Sequence, residues 1–427
     1  MARSKKILKK KITFAFLLFI LILGIGGIFT YEHFKNSDSP SVIEKVIPKL
    51  EKKEEIPKDE VYKISLFAAG DGLIHNNVAW YAKDGTGYDF TSFFTEIKEI
   101  VKDYDIVYYN QETPFGTKES EYSFYPTFSV PSEYGDAMVK TGFNLISLAS
   151  NHSYDKGEAG VIRSLKFWQD EASTSKIMFN GIADSEDTRN NYQIGEINNI
   201  TYAMLSYTYG LNGFKLPSGK SYLVNVFDYD TALKDIEYLR DKVDLLIVAM
   251  HWGEEYNLNA TETQKEQAKW LSEHDVDIVI GNHSHCVEPV EWIDGTPIIY
   301  SLGNFISNQG ILRGGNYVYN GTVKGTIGAY ATIDITKTIS PSKETTLKVD
   351  NLNIDLLYTY RNDIDKYYQV LPFSKMNDEY LKNYPSTSNS NSSNQWWYMN
   401  NYQETYNLYK AVIQKYDNTI NVLPLAN

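Results

Sequence analysis

From Val61 onward the chain alternates short apolar runs with helix-like segments, and this alternation limits the fold more than any other feature. The runs are "VYKISLFAAGD", "YDIVYYNQE", "FNLISLASNH", "ITYAMLSYTY", "VDLLIVAMHW", "VDIVIGNHSH" and "TPIIYSLGN". Between them lie "TSFFTEIKEIVKDY", "GEAGVIRSLKFWQDEA", "DYDTALKDIEYLRDK" and "TETQKEQAKWLSEH". Strands alternating with helices imply βαβ units and a largely parallel sheet, an α/β class. The near-continuous apolar character suits strands covered on both faces. Past about Ile311, "TIGAYATIDITK" and "TTLKVDNLNIDLLYTY" read as antiparallel strands extending a sheet edge, and "WWYMNNYQETYNLYKAVIQKYD" as a terminal amphipathic helix after the low-complexity linker "STSNSNSSNQ".

The ends of these runs carry the chemistry. They fall at Asp71, Glu112, Asn151-His152, His251, His283 with His285, and Asn304. In a parallel sheet such ends share one edge, where ligands of open α/β folds bind. Of the 7 His, five lie at or just past strand ends: His75, His152, His251, His283 and His285. The H-x-H at 283–285 is the strongest single signal, because side chains at i and i+2 project to one side of an extended strand. Taken singly, the other groups have ordinary explanations: "GD" is a common turn, and Asn151 is a good helix cap. Taken together they mix imidazole, carboxylate and amide oxygen, a set that suits Mn²⁺, Fe or Zn²⁺ and not Ca²⁺ or Mg²⁺ alone. With only Cys286 in the chain, there is no disulfide framework and no Cys-based zinc site, and Cys286 reads as a small buried residue. A bridging carboxylate can hold two metals about 3.5–4 Å apart and generate a hydroxide nucleophile, while a further His protonates the leaving group.

The N-terminus reads differently. "RSKKILKKK" is basic, and Ile12 to Tyr31 carries no charge, nearly enough length for a bilayer core. The expectation is a retained anchor with a cytoplasmic N-terminus, a single-pass cell-membrane protein with its globular part extracellular. A cleaved signal peptide is the rival, but the run is long for one and shows no small-x-small site near Phe29. The charged, Pro-containing stretch to about residue 60 reads as a stalk. The expected organisation is therefore 1–31 basic tip and transmembrane anchor, 32–60 stalk, 61–375 folded domain, and 376–427 linker and C-terminal helix. Net charge is −13, which disfavours nucleic acid as a partner.

The motifs "AAGDGLIH", "YNQETPFG", "SLASNHSYDKGEAGV", "AMHWGEEY", "IVIGNHSHCVEPVEW" and "IIYSLGNFI" resemble, in order and near spacing, the CapA-type capsule (poly-gamma-glutamate) synthesis proteins of the calcineurin-like metallophosphatase superfamily. The resemblance covers about Val61 to Asn308. It implies a four-layer α/β/β/α sandwich of metallophosphatase type. It implies metal-ligand roles for Asp71, Glu112, Asn151, His251, His283 and His285, with a divalent metal, one or two ions. His152 falls at the catalytic-acid position of the "NH" motif, with Asp155 beside it. Two departures stand out: the first His, His75, comes four residues after Asp71 where the pattern is Asp-x-His, and Glu112 replaces a bridging Asp. Asp155, Glu158, Glu254 and Glu255 are expected to orient imidazoles, since ligating His usually donates its other N–H to an oxygen. His75, Glu254, Glu255, Ser301, Gly303 and Asn304 are expected to line the pocket, Gly303 because its turn needs positive φ. The expected function is capsule polymer biosynthesis or export, with hydrolysis or transfer of polymer bonds. The alternatives left open are a non-catalytic polymer-binding scaffold and a surface metallophosphatase unrelated to capsule. Expected partners are the capsule polymer or its precursor, membrane proteins of a synthesis complex, and the lipid bilayer. The acidic net charge conflicts with a polyanionic polymer unless a bound ion dominates the local field.

Overall fold

The computed structural model describes residues 58–309, 318–319, 322–385 and 401–427. The strands of its two large sheets are, in chain order, β1 (Glu60–Gly72), β2 (Ile106–Gln111), β3 (Leu145–Ser147), β4 (Met178–Asn180), β5 (Gly195–Ile197), β6 (Ile200–Thr208), β7 (Leu245–His251), β8 (Ile278–Asn282), β9 (Val290–Ile293), β10 (Thr296–Ile299), β11 (Asn304–Ile306), β12 (Ile327–Ile339), β13 (Thr345–Asn362), β14 (Tyr367–Pro372) and β15 (Asn421–Val422). The helices that cover the sheets or flank the site are α1 (Asn76–Tyr81), α2 (Thr95–Val101), α3 (Glu133–Thr141), α4 (Gly157–Thr174), α5 (Tyr229–Arg240), α6 (Glu262–Glu273) and α7 (Tyr402–Ile413).

The alternating runs do not build one sheet. A nine-stranded sheet has the order β14-β13-β12-β1-β2-β3-β4, with β11 on β1 and β15 on β13. A six-stranded sheet has the order β9-β10-β8-β7-β6-β5. The first is parallel from β1 through β4 and antiparallel from β1 through β14, so the late strands extend its edge as their alternation predicts. The second is parallel from β6 through β10, with antiparallel β5 and β9 at its borders.

Side-chain alternation along each strand separates three cores. Phe67, Val107 and Tyr109 face helices α2, α3 and α4. Leu66, Ala68, Ile106 and Tyr108 meet Leu245, Ile247, Ile278 and Ile280 of the second sheet. Leu246, Val248 and Met250 face α5 and α6. The layers thus run helix, sheet, sheet, helix. The inter-sheet layer is aliphatic at one end and turns polar at the carboxyl ends of the strands. There Ser147 meets Ser206 at 2.7 Å, and Asn282 donates to the Tyr108 hydroxyl across the sheets. Helix α7 adds Tyr406, Tyr409 and Ile413 to that same core, and β15 then pairs with β13.

The single-pass cell-membrane localisation does not stand. Among the described residues no helix is long and apolar enough to cross a membrane. The longest, α4, carries Glu158, Arg163, Lys166, Asp170 and Glu171 around one apolar stripe. The expected anchor 1–31, nearly all of the stalk 32–60 and the linker "STSNSNSSNQ" lie outside the described residues. Residues Asp59–Asn427 form one compact unit.

Candidate metal centre

The polar end of the inter-sheet layer gathers side chains from both sheets. On β1 the ladder to β2 slips between Ala68 and Asp71, bringing Asp71 level with Asn110. The slip turns the carboxylate out of the Phe67–Ala69 helix-facing row. Gly70 permits it: a Cβ there would lie 1.9 Å from the Gly303 carbonyl oxygen, whose partner is the Asp71 N–H at 2.9 Å. Asn110, near the end of β2, and Glu112, just past it, continue the inter-sheet row of Ile106 and Tyr108. On β7, His251 continues the row of Leu245, Ile247 and Ala249. After β8 the chain turns through two non-glycine residues at positive φ, His283 (97°) and His285 (55°). Such backbone is uncommon for residues with a Cβ and is characteristic of functional turns.

The resulting distances are short. His251 Nδ1 is 3.9 Å from Asp71 Oδ1, and its Nε2 is 3.7 Å from Glu112 Oε1. His285 Nδ1 is 3.7 Å from Asp71 Oδ2, and its Nε2 is 3.8 Å from Glu112 Oε1. One ligand atom each from Asp71, Glu112 and His285 lie within 4.8 Å of one another. His251 and His283 rings are 4.8 Å apart, and Asn151 Oδ1 meets His251 Nε2 at 2.9 Å. The His283 backbone N–H donates to Asp71 Oδ2.

Surrounding amides set the protons. Asn304 spends both N–H groups on Gln309 Oε1 and the Gly325 carbonyl, so its Oδ1, 3.1 Å from His285 Nδ1, must accept. His285 therefore carries its proton on Nδ1 and presents the Nε2 lone pair beside Glu112. Asn110 donates to Asp71 Oδ1 at 2.7 Å and lies 3.2 Å from His251 Nδ1. Asp155 Oδ2 accepts from the Phe128 N–H and from His152 Nδ1 at 2.7 Å, which fixes the His152 ring.

Burial acts on the two carboxylates and three imidazoles at the centre. It pushes the Asp71 carboxyl up to about 7 against the pull of Asn110 and the His283 N–H. It drives the Glu112 carboxyl well above its ordinary range, with Asp71 adding repulsion. It drives His251 and His285 well below theirs, and lowers His283 to about 3. The imidazoles are thus neutral, as metal ligands must be. Glu112 is buried, yet neither Oε1 nor Oε2 has a hydrogen-bond partner, and His283 Nδ1 has none either. Unpartnered buried polar atoms of this kind cost several kcal/mol in aggregate. A divalent cation between Asp71, Glu112 and His285 would give the Glu112 carboxylate the partner it lacks, and an oxygen-and-imidazole set without sulfur suits Mn²⁺, Fe or Zn²⁺. The residues fit a metal.

The structure brings Asp71, Glu112, Asn151, His152, Asp155, His251, His283 and His285 together. Several neighbours are placed differently from expectation. Glu158 is taken by Lys220 at 2.7 Å, away from the imidazoles. Glu254 and Glu255 are exposed, and among the described residues neither hydrogen-bonds a site imidazole: Glu254 accepts from Asn257, while Glu255 stays near enough to the site for its charge to act on Glu112 and to feel that of His152. Ser301 uses its hydroxyl to accept from the Gly303 N–H, and Gly303 does have positive φ, 63°. Asn304 does more than line a pocket, since it orients His285. Cys286 is buried, which pushes its thiol up. Two residues were not anticipated. Asn110 had a signal, standing two residues before Glu112 on the same strand face. Asn212, which accepts from Asn151 Nδ2 at 3.1 Å and lies 3.3 Å from His152 Nδ1, had none.

Fold and site together define an α/β protein with a candidate metal centre of carboxylates and neutral imidazoles at the joint of two sheets. The chain belongs to the family described as bacterial capsule synthesis protein PGA_cap, which matches residues 65–309. It is 27% identical over 276 residues to the PGA biosynthesis protein CapA of Bacillus subtilis (strain 168), covering 61% of this chain and 68% of that protein. It is 25% identical over 261 residues to the capsule biosynthesis protein CapA of Bacillus anthracis, covering 59% of this chain and 61% of that one. The calcineurin-like phosphoesterase YfkN from Bacillus subtilis superposes with a TM-score of 0.35 at 14% identity, over 68% of this chain and 91% of its own. A superposition at that level says nothing about activity.

Proposed function

We propose that this protein serves capsule polymer biosynthesis as a metal-dependent hydrolase or transferase acting on a poly-gamma-glutamate-type polymer or its precursor. The layer order is read as that of a metallophosphatase. The observation that carries the reading is Glu112, a fully buried carboxylate with two unpartnered oxygens, set against Asp71 and three neutral imidazoles. Asp71, Glu112 and His285 would hold the ion, with His251, His283 and Asn151 beside them. Bound there, a divalent ion supplies an activated water and polarises the oxygen under attack. Asp155 holds the Nδ1–H of His152 and would support the doubly protonated ring, whose Nε2–H can pass to the leaving group and leave the neutral imidazole. Phe128, packed edge-on at 4.8 Å, keeps water off one face of that ring. Partner proteins of a synthesis complex would present the polymer.

Metal analysis and polymer output test this. The full-length protein should take up a transition metal, Glu112→Gln should take up little, and His152→Gln should keep the metal while polymer processing collapses. A protein without metal, or a His152→Gln strain with ordinary polymer output, would leave the polymer-binding scaffold as the better account.

A further inference from the structure

His75 is the one histidine of the strand-end set that the metal reading leaves without a task. It caps the start of α1, half-buried, just past β1. Its ring packs edge-on against Phe128 at 5.5 Å, and the same Phe128 ring packs against His152 at 4.8 Å. His75 thus shares a ring neighbour with the proton-delivering histidine, and the charge of His152 reaches it.

Its tautomer follows from its neighbours. The Asn308 backbone N–H approaches His75 Nδ1 at 3.2 Å, and the Leu73 carbonyl oxygen lies at 3.3 Å from the same atom. Only one can be the partner. A backbone N–H can only donate, and an orphaned N–H is rarer than an under-satisfied carbonyl. Nδ1 therefore accepts from Asn308 and the proton sits on Nε2. Asn308 is itself locked. Its Oδ1 accepts from Arg361 Nη1 at 3.0 Å and from the Tyr368 hydroxyl at 2.6 Å, and Arg361 is in turn gripped by Asp363 and Tyr81. An arginine-centred cluster on β13 and β14 thus fixes which nitrogen of His75 bears hydrogen. Among the described residues that Nε2–H has no partner. A metal ligand needs the opposite arrangement, a free lone pair on the nitrogen offered to the ion.

We propose that His75 is a substrate-holding residue and not a metal ligand: its Nε2–H donates to an anionic oxygen, carboxyl or phosphoryl, of the molecule processed beside His152. Asn308 is its positioning residue. The inference rests on the proposed metal-dependent function and adds to it the substrate chemistry, an acceptor oxygen held by a neutral donor.

Three measurements on the full chain test it. Histidine-selective ¹⁵N spectra should show His75 as the Nε2–H tautomer, and Asn308→Ala should turn it into a mixture; an Nδ1–H wild-type signal would overturn the proposal. Metal content should be unchanged in His75→Phe and His75→Gln; a drop in either would make His75 a ligand. Titration of the Mn²⁺-loaded protein with inorganic phosphate and with γ-glutamylglutamate shows which oxygen class is held. Affinity for the better probe should fall roughly tenfold or more in His75→Phe, the loss of a hydrogen bond to a charged group, and recover in large part in His75→Gln. Unchanged affinity in His75→Phe, or a wild type that binds neither probe, refutes the assignment while leaving the metal reading intact. A wild type that takes up no metal sinks both.

Discussion

Replacing Asp71 by Asn should stabilise the metal-free protein and destabilise the metal-loaded one. Asp71 is fully buried, and burial holds its carboxyl at about 7 instead of 3.8. At ~1.36 kcal/mol for each pH unit, keeping it ionised above pH 7 costs the fold about 4 kcal/mol. The sign is that of a raised acid: the folded state holds its proton longer than the unfolded chain, so stability falls as pH rises from 3.8 to about 7. An amide removes that cost but accepts through one oxygen only. It must forgo either the Asn110 or the His283 N–H bond, about 1 kcal/mol. The net gain is about 3 kcal/mol at pH 8. For a unit spanning Asp59–Asn427 this raises the melting point by about 4 °C. Calorimetry in EDTA at pH 8 should show that gain, and it should shrink steadily as pH is lowered toward 4. With saturating Mn²⁺ the order should reverse, because the wild type gains binding energy that the amide forgoes. An Asp71→Asn protein that melts below wild type in EDTA at pH 8 would refute the argument, since the carboxylate would then be compensated by something other than an ion.

The remaining predictions concern the same joint. Metal affinity should weaken as pH falls below about 7, because protons on Asp71 and Glu112 compete with the ion; a pH-independent affinity between 5 and 8 would exclude both as ligands. Asn304→Ala should release the His285 tautomer and cost about 10- to 100-fold in metal affinity, read by competition with a chelating dye, with circular dichroism unchanged. Gly70→Ala should fail to fold or lose several kcal/mol, since its Cβ would sit 1.9 Å from the Gly303 carbonyl oxygen; a soluble variant with wild-type melting would show that the close approach can relax.

The strand ends were legible because a buried parallel strand is an apolar run, and a polar residue closing such a run must either turn or work. Asp71, Glu112, His251 and His283 all follow that rule. The division into two sheets was not legible from the runs, since their periodicity is the same in either sheet. A clue did exist in "INNI": Asn198 and Asn199 adopt φ of 46° and 60°, the tight hairpin turn that joins β5 to β6 at the border of the second sheet. Glu158 was misassigned because spacing in sequence cannot show that Lys220 would reach it first. Asn212 was invisible for the same reason, lying in a turn 60 residues beyond the histidine it touches. Asn308 and Arg361 act through a backbone N–H and a second neighbour, and no residue-type pattern encodes that.

The seam between the sheets would give a bound ion a mechanical duty. Asp71 and Glu112 ride on one sheet, while His285 rides on the other, so a cation held by the three would be a rivet through two plates. Stripping it should let the plates slide at that rim well before either one frays, and refitting it would report that both halves of the chain have finished docking.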